Sequence, residues 1–181
     1  MIIALFRHWA PKLFDYYDQT LGQLLENDHS LKKPFENSVY PAATYNLGPQ
    51  TVCKPHQDFA NLPFGFCAIT ALGNFDHKKG GHLVLEEYKL IVEFPAGYTV
   101  LIPSAIVTHS NKKIAEEERR FSFTQYAAGG LFRWVENGFR TTSAVEKTAD
   151  QDEKAAMEEA NQQRWKRGLS LFPKLFEWVP L

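Results

Sequence analysis

Between Tyr40 and Ala127 the sequence alternates between short β-rich runs and turn residues, and few folds are compatible with this alternation. Eight runs have the length and composition of strands: YPAATYN, TVCKPH, FCAITAL, HLVLEE, KLIVEF, YTVLIP, AIVTHS and RFSFTQYA. Turn signals, such as Gly48-Pro49 and the KKGG run at 78–81, lie between them. Many short strands in succession, with no helical pattern between them, favour a barrel or a jelly roll.

Helical patterns flank this β region on both sides. Pro11 opens a stretch in which apolar residues recur every three or four positions, and this predicts an amphipathic helix over 11–26. Beyond the β runs the helical period returns, with capping-box patterns at Ser143–Glu146 and Thr148–Gln151. Acidic residues are concentrated in the first turn of this stretch and basic residues in its last turn, which predicts a C-terminal helix over 149–167.

The size and composition of the chain fit one domain. Its 181 residues, of which 44% are hydrophobic, are enough for one well-buried core and too few to argue for two. The formal net charge of -1 gives no general attraction for a polyanion such as nucleic acid. We therefore expect a single domain over residues 1–181, with a helical segment at 1–39, a β core at 40–128 and a helical segment at 129–181.

No stretch of the sequence predicts membrane contact or export. The longest apolar runs, KLIVEF and YTVLIP, are strand-sized, whereas a membrane-spanning helix needs about 20 residues. The opening MIIALF lacks the basic leader of a secretory signal. Cys53 and Cys67 form no disulfide or metal framework by their spacing, which suits a reducing compartment. The sequence thus predicts an intracellular, monomeric protein with no membrane partner.

KPHQDF, residues 54–59, places a histidine and an aspartate two positions apart. Residues i and i+2 of a strand share a face, so His56 and Asp58 are expected to project side by side from the end of TVCKPH. A second histidine, His109, closes the run AIVTHS. Two histidines and one carboxylate form the facial triad that binds Fe(II) and leaves positions open for other ligands. Zinc with the same three ligands and a water is the alternative, and an H-x-D pair alone also occurs at surface strand ends.

The run RRFSFTQY adds a second charged group to this set. Arg120 and Ser122 share one face of the predicted strand, while Arg119 faces the other way. A guanidinium beside a hydroxyl is a suitable clamp for the end of a dicarboxylate, because its fork of donors matches a carboxylate. The sequence therefore predicts a metal site together with an anchor for an acidic small molecule.

An H-x-D pair, a distant histidine and a downstream R-x-S in an all-β core resemble the Fe(II)/2-oxoglutarate-dependent oxygenases, over about residues 40–128. The resemblance implies a mainly β fold whose core is a double-stranded β-helix of jelly-roll or cupin-like type. It also implies that His56, Asp58 and His109 bind Fe(II) and that Arg120 and Ser122 bind 2-oxoglutarate. In such enzymes dioxygen and 2-oxoglutarate are consumed while the iron oxidises a C–H bond, and the protein supplies position and electrostatics.

Four stretches, CKPHQDFAN, FCAITAL, GGHLVLEEYKL and RFSFTQY, look like the nucleic-acid-modifying TET/JBP branch of these enzymes, including its fungal members. This narrower resemblance implies that His82 contacts 2-oxoglutarate, that Asn61 faces the target cytosine and that Tyr126 stacks on a base flipped out of the duplex. Tyr45 and Asn46, on the first core strand, are expected in the cosubstrate pocket on topological grounds. Where the animal members carry a base-contacting histidine this chain has Ala128, and their cysteine-rich zinc region is absent, so the identity of the base stays open.

The resemblance implies a nuclear enzyme that oxidises a methylated nucleobase, 5-methylcytosine in DNA, with 2-oxoglutarate and dioxygen as cosubstrates. Two alternatives stay open: an oxygenase that acts on a protein side chain or a small molecule, and a metal-binding module without catalysis. Basic residues in predicted loops are the candidates for phosphate contacts. They are Lys32, Lys33, Lys78, Lys79, Lys112, Lys113, Arg133 and Arg140.

Overall fold

The computed structural model describes residues 2–174, which group into two compact units. Tyr40–Ala128 form a β unit, and the described residues before Tyr40 and after Ala128 form a helical unit. These boundaries fall where the β core was expected to begin and end. That the two units act as a single domain stays a prediction. No helix among residues 2–174 is both long and apolar enough to cross a membrane.

The helical unit confirms the two predicted helices and adds three more. Its described elements are α1 (Ile2–Trp9), α2 (Pro11–Asn27), α3 (Gly129–Glu136), α4 (Thr142–Thr148) and α5 (Gln151–Ser170). Phe6 and Tyr17 are buried with ring centroids 5.2 Å apart, and Tyr17 lies 5.1 Å from the ring of Phe132. Edge-to-face aromatic packing therefore joins α1, α2 and α3.

Two local predictions in this unit are wrong. The capping residues of α4 and α5 are Thr141 and Asp150, whose side chains accept from the main-chain N–H groups of Ala144 and Glu153. Ser143 and Thr148, the predicted caps, lie inside α4, where the backbone is already helical and a cap has no function. Gly129 and Gly130 open α3.

The β unit contains seven strands in two antiparallel sheets. The strands are β1 (Ala42–Asn46), β2 (Cys67–Asn74), β3 (Leu83–Leu85), β4 (Leu90–Val92), β5 (Thr99–Ile102), β6 (His109–Asn111) and β7 (Arg119–Tyr126). One sheet has the order β1-β7-β2-β5 and the other β4-β3-β6. Ala71, Leu83, Phe94 and Ile102 form a buried apolar cluster with members from both sheets, so the sheets pack face to face. A mainly antiparallel β unit with helices beside it in sequence agrees with the expected class, while the double-stranded β-helix stays a prediction.

The first and last strands of the unit are direct neighbours. β1 pairs with β7 along its whole length, from Ala42 opposite Tyr126 to Asn46 opposite Ser122. The β unit therefore begins and ends on the same pair of strands.

The run TVCKPH does not form a regular strand, and the prediction of eight strands is wrong in this respect. Within it His56 makes only an isolated bridge with His109. Pro55 has no N–H group to give to a ladder. The side chain of Asn111 supplies part of the missing pairing, since its Oδ1 accepts from Cys53 N at 2.7 Å and its Nδ2 donates to the Thr51 carbonyl at 3.0 Å. A side-chain amide thus holds this segment where a strand was expected.

AIVTHS also differs from its prediction. β6 begins at His109 instead of ending there, and the residues before it form a turn. The glycines of the KKGG run do serve a tight turn, as expected. Gly81 has φ +71°, and a Cβ placed there would lie 2.6 Å from the ring of Phe75, so only glycine fits.

Candidate active site

A cavity of about 360 Å³ lies within the β unit. This is within the size range of small-molecule sites. Alternate residues of β1 and β7 line it, as the two-residue period of a strand requires. They are Thr44 and Asn46 of β1 and Arg120, Ser122, Thr124 and Tyr126 of β7. All three residues of β6, His109, Ser110 and Asn111, also line it, and the irregular segment before β2 adds His56, Asp58 and Asn61.

The three predicted metal ligands converge at one point of this cavity. Asp58 Oδ1 lies 3.7 Å from His56 Nε2, and Asp58 Oδ2 lies 4.0 Å from His109 Nε2. One ligand atom from each residue lies within 4.8 Å of the others, and the two imidazole centroids are 4.3 Å apart. A first-row metal ion, with ligand distances of about 2.1 Å, fits between these atoms after small side-chain rotations.

Hydrogen bonds to the main chain fix the orientation of both imidazoles. His56 Nδ1 donates to the Lys54 carbonyl at 2.7 Å, and His109 Nδ1 donates to the Val107 carbonyl at 3.0 Å. A carbonyl oxygen can only accept, so the proton of each neutral ring lies on Nδ1 and the lone pair on Nε2. Two lone pairs and a carboxylate therefore face one another, and this arrangement favours a cation between them. A backbone bond on the far nitrogen is the usual support of a metal-binding histidine.

Exposure changes along the cavity from the ligand end to the Arg120 end. The side chains of His56 and Asp58 are 42% and 32% exposed, while that of His109 is 6% exposed. Arg120 at the other end is only 3% exposed. Solvent thus reaches the cavity at His56 and Asp58, and the guanidinium lies at its closed end.

The Arg120 guanidinium is buried without a carboxylate partner among residues 2–174. Its Nη1 donates to the Thr51 carbonyl at 3.4 Å, its Nε has no protein acceptor, and its Cζ lies 5.9 Å from the Phe75 ring centroid. Burial lowers the pKa of Arg120, which reflects the cost of a charge taken out of water. An anion in the cavity would offset this cost through charge-assisted hydrogen bonds.

Ser122 lies two residues beyond Arg120 on the same face, as predicted, and Asn46 determines its orientation. Asn46 Nδ2 donates to Ser122 Oγ at 2.8 Å. Because the serine oxygen already accepts from Asn46, its own proton is free to be donated into the cavity. Arg120 and Ser122 therefore offer donors side by side to a carboxylate.

Two of the predicted cosubstrate residues do not line the cavity. Tyr45 is 56% exposed and packs on Phe123 with ring centroids 4.8 Å apart, because β1 directs Thr44 and Asn46 inward and Tyr45 outward. The prediction for Tyr45 is therefore wrong. His82 is half-buried and absent from the cavity wall, and its buried Nδ1 has no hydrogen-bond partner within residues 2–174. Its contact with 2-oxoglutarate stays a prediction.

Asn61 and Tyr126 both line the cavity, at the end where the metal ligands lie. Asn61 Nδ2 donates to Ser104 Oγ at 3.1 Å and approaches Asp58 Oδ2 at 3.4 Å. The Tyr126 hydroxyl accepts from Thr44 Oγ1 at 3.4 Å. Asn61 is thus a neighbour of a metal ligand, a contact that its spacing alone did not indicate. The roles assigned to both residues in base recognition stay predictions.

Four of the candidate DNA-contacting lysines lie at the other end of the sheet. Lys112 N donates to the His82 carbonyl and Gly81 N donates to the Lys113 carbonyl, so the loops that carry Lys78, Lys79, Lys112 and Lys113 contact each other. The first of these loops follows the end of β2, which pairs with Arg119. Tyr126 is seven residues further along β7, or about 23 Å at 3.3 Å per residue. Phosphates next to a base held at Asn61 and Tyr126 would thus be remote from these lysines.

The remaining candidates belong to the helical unit. Arg140 forms an ion pair with Glu153 there. Lys32 and Arg133 are exposed in this unit, and Lys33 is half-buried.

Two uncharged loops border the ligand end of the cavity. They span residues 59–66 and 103–107 and contain no charged residue. Asp58 N donates to the Ser104 carbonyl at 2.9 Å at the point where the loops meet. Phe59 and Ile106 are 79% and 55% exposed. The open end thus presents apolar side chains beside the metal ligands.

Comparisons with known proteins give only distant likenesses. No protein-family model matches the chain, and no curated protein sequence matches it. NgTET1 in complex with 5mC DNA is 20% identical, with a TM-score of 0.48 over 63% of this chain and 48% of that one. The collagen prolyl hydroxylase vCPH of Paramecium bursaria Chlorella virus-1, in its 2OG complex, is 10% identical, with a TM-score of 0.33 over 61% of this chain and 70% of that one. The chain thus spans about half the length of NgTET1 (48%), and the function has to be argued from the site itself.

Proposed function

We propose that the chain is an Fe(II)- and 2-oxoglutarate-dependent oxygenase. One observation carries this proposal: a His–Asp–His ligand set and a buried guanidinium, which has no carboxylate partner among the described residues, line the same cavity. A metal alone would leave Arg120 unexplained, and an anion site alone would leave the converging ligands unexplained. A dicarboxylate that chelates a metal at one end and binds Arg120 at the other accounts for both.

The residues of the cavity fit these two groups. His56, Asp58 and His109 would hold the iron, and Arg120 and Ser122 would hold the distal carboxylate of 2-oxoglutarate. When bound, Fe(II) with 2-oxoglutarate and dioxygen supplies the oxidising power for a C–H bond. The protein directs two imidazole lone pairs at the metal position, presents two adjacent donors to the carboxylate and keeps the Arg120 end away from water.

A zinc site with the same ligands is the competing interpretation of the metal centre. Two histidines and one carboxylate, with a water in the fourth position, also suit zinc. The zinc interpretation gives no role to the buried Arg120 or to Ser122, whose hydroxyl proton is free. We therefore prefer Fe(II) with 2-oxoglutarate.

The substrate that we propose is a methylated nucleobase, 5-methylcytosine in DNA, and hence a nuclear site of action. The sequence resemblance supports this proposal, and so does the presence of Asn61 and Tyr126 at the open end of the cavity. A base must leave the helical stack to bring its methyl group to a buried metal, and an amide and an aromatic ring are suited to hold it there. Phe59 and Ile106 offer apolar surface to the same base or its neighbours. A protein side chain or a small molecule is the alternative substrate.

The metal and the cosubstrate are tested together by an anaerobic titration with Fe(II) and 2-oxoglutarate. We expect a visible charge-transfer band that requires both components and saturates at one equivalent of each. The band should be lost in His109→Ala. A wild-type protein that shows no band under these conditions would rule out the oxygenase.

The substrate is tested by adding oxygen with duplex DNA that differs only in cytosine methylation. Succinate and oxidised bases are then measured by mass spectrometry. We expect both products to depend on the methyl group. Succinate formation that ignores methylation would favour the alternative substrates, and a normal band without any turnover would favour a module that has lost catalysis.

A further inference from the structure

A hydrogen-bond network on the outside of the β unit joins the β3–β4 turn to the two segments that carry the metal ligands. Glu87 in this turn accepts from Thr108 N with both carboxylate oxygens, at 2.8 and 3.1 Å, and from Thr108 Oγ1 at 2.6 Å. Gln57 Nε2 lies 3.3 Å from the same carboxylate, and it donates to Thr108 Oγ1 and to the Ile106 carbonyl at 3.1 Å. The Glu87 carboxylate thus accepts hydrogen bonds from both segments that carry the metal ligands.

The positions of the two partners give this network its significance. Gln57 lies between the ligands His56 and Asp58, and Thr108 directly precedes the ligand His109. The main chains of the two segments bond to each other at His56 and His109, but Asp58 belongs to no regular strand and β6 begins only at His109. The network adds side-chain bonds beyond this main-chain pair, between Gln57 and Thr108.

The charge of Glu87 is directed to these neutral donors. Among residues 2–174 it forms no ion pair, whereas its neighbours donate to both of its oxygens. The Thr108 hydroxyl lowers the pKa of Glu87, so the carboxylate is ionised at neutral pH. Hydrogen bonds to an ionised acceptor are shorter and stronger than those between neutral groups.

We propose that Glu87 is a positioning residue that holds Asp58 in place relative to the two histidine ligands through Gln57 and Thr108. The inference rests on the proposed function only in taking the converging ligands as a metal centre. Outer hydrogen-bond partners of metal ligands typically affect metal affinity by 10- to 100-fold. Glu87 acts one step further out, on the residues adjacent to the ligands.

The test is a titration of the protein with Co(II), without 2-oxoglutarate or oxygen, in which the visible spectrum of the bound ion reports ligand geometry. Glu87→Ala removes every acceptor and should weaken Co(II) binding about 10-fold or more and change the spectrum. Glu87→Gln keeps one oxygen acceptor, and its affinity for Co(II) should lie between those of the wild type and Glu87→Ala. Glu86→Ala is the matched control, because Glu86 is an exposed neighbour whose main-chain N–H alone bonds Thr108; it should bind Co(II) within twofold of the wild type.

The outcomes separate this inference from the proposed function. Co(II) affinity and spectrum unchanged in Glu87→Ala would overturn the inference and leave the oxygenase proposal intact, even if the metal-free protein melted earlier. A wild-type protein that binds no divalent cation would overturn both. If Glu87→Ala does not fold, Thr108→Val, which removes the hydroxyl at nearly constant volume, should weaken Co(II) binding severalfold, and an unchanged affinity there would again contradict the inference.

Discussion

The main chains of His56 and His109 bond to each other in both directions. His56 N donates to the His109 carbonyl at 3.1 Å, and His109 N donates to the His56 carbonyl at 2.9 Å. Such a pair holds two Cα atoms about 5.5 Å apart. The main chain therefore sets the spacing of the two imidazoles, and little reorganisation is required when a metal binds.

Removing one of these histidines should abolish the metal centre. In His109→Ala the remaining two ligands are too few for tight binding, and we expect Co(II) affinity to fall more than about 100-fold, which exceeds typical effects in the outer shell. Calorimetric titration measures this loss. His77→Ala is the control, because His77 pairs with Glu93 at 3.1 Å and does not line the cavity. Comparable losses in the two variants would contradict the assignment.

Replacing Arg120 should separate cosubstrate binding from metal binding. In Arg120→Met the affinity for 2-oxoglutarate should fall about 100-fold, since hydrogen bonds to a charged group contribute about 1.5–3 kcal/mol each. Metal affinity should stay unchanged. The midpoint of thermal unfolding without ligands should rise, because the substitution removes a buried charge that has no carboxylate partner.

Arg119→Met provides the matched control for this prediction. Arg119 precedes Arg120 on β7, is exposed and does not line the cavity. It should bind 2-oxoglutarate as the wild type does. Equal weakening in both variants would indicate a general effect of charge and would remove Arg120 from the cosubstrate site.

Replacing Asn61 should reduce the rate of substrate oxidation more than the activity of the metal centre without substrate. In Asn61→Ala we expect oxidation of the methylated base to fall by up to about 10-fold, while succinate formed without substrate changes little, because one lost hydrogen bond accounts for about 0.5–1.5 kcal/mol. Ser104→Ala removes the bond between Asn61 and Ser104 and leaves the amide in place. If both variants lose the two activities in parallel, Asn61 serves only to orient Asp58.

Phe59 should contribute to substrate affinity without contributing to stability. Its ring is 79% exposed, so Phe59→Ala should change the free energy of unfolding by less than about 0.5 kcal/mol. A lost stacking contact with a base costs about 1–3 kcal/mol, so KM for the methylated duplex should rise about 10-fold. Tyr98→Ala removes another exposed aromatic residue, 65% exposed and not part of the cavity wall, and should leave KM unchanged.

Much of the site was predictable because its main residues follow fixed spacings. The H-x-D and R-x-S pairs depend on the two-residue period of extended chain, which survives in the irregular segment around His56 and in β7. The helix over 11–26 was predictable from its apolar period, and the helix over 149–167 from its acidic first turn and basic last turn. The mainly β class of the core was predictable from the alternation of strands and turns.

The residues that support the site were not predictable, because their contacts depend on register between distant segments. Asn46 reaches Ser122 only because the two are paired across β1 and β7. Asn111 and Glu87 act on segments that Pro55 and the turn before β6 keep out of the ladders. The prediction for Tyr45 was wrong for the same reason, since a shift of one position along a strand moves each side chain to the opposite face.

The pairing of Ala42 with Tyr126 closes the β unit on itself. Cα atoms of directly opposed residues lie about 4.5–5.5 Å apart, a gap that two residues of any chain can span. The 40–128 segment is therefore suited to insertion, as one continuous piece, into a tight turn of an unrelated host protein. The two host residues that flank the insertion would not have to move apart.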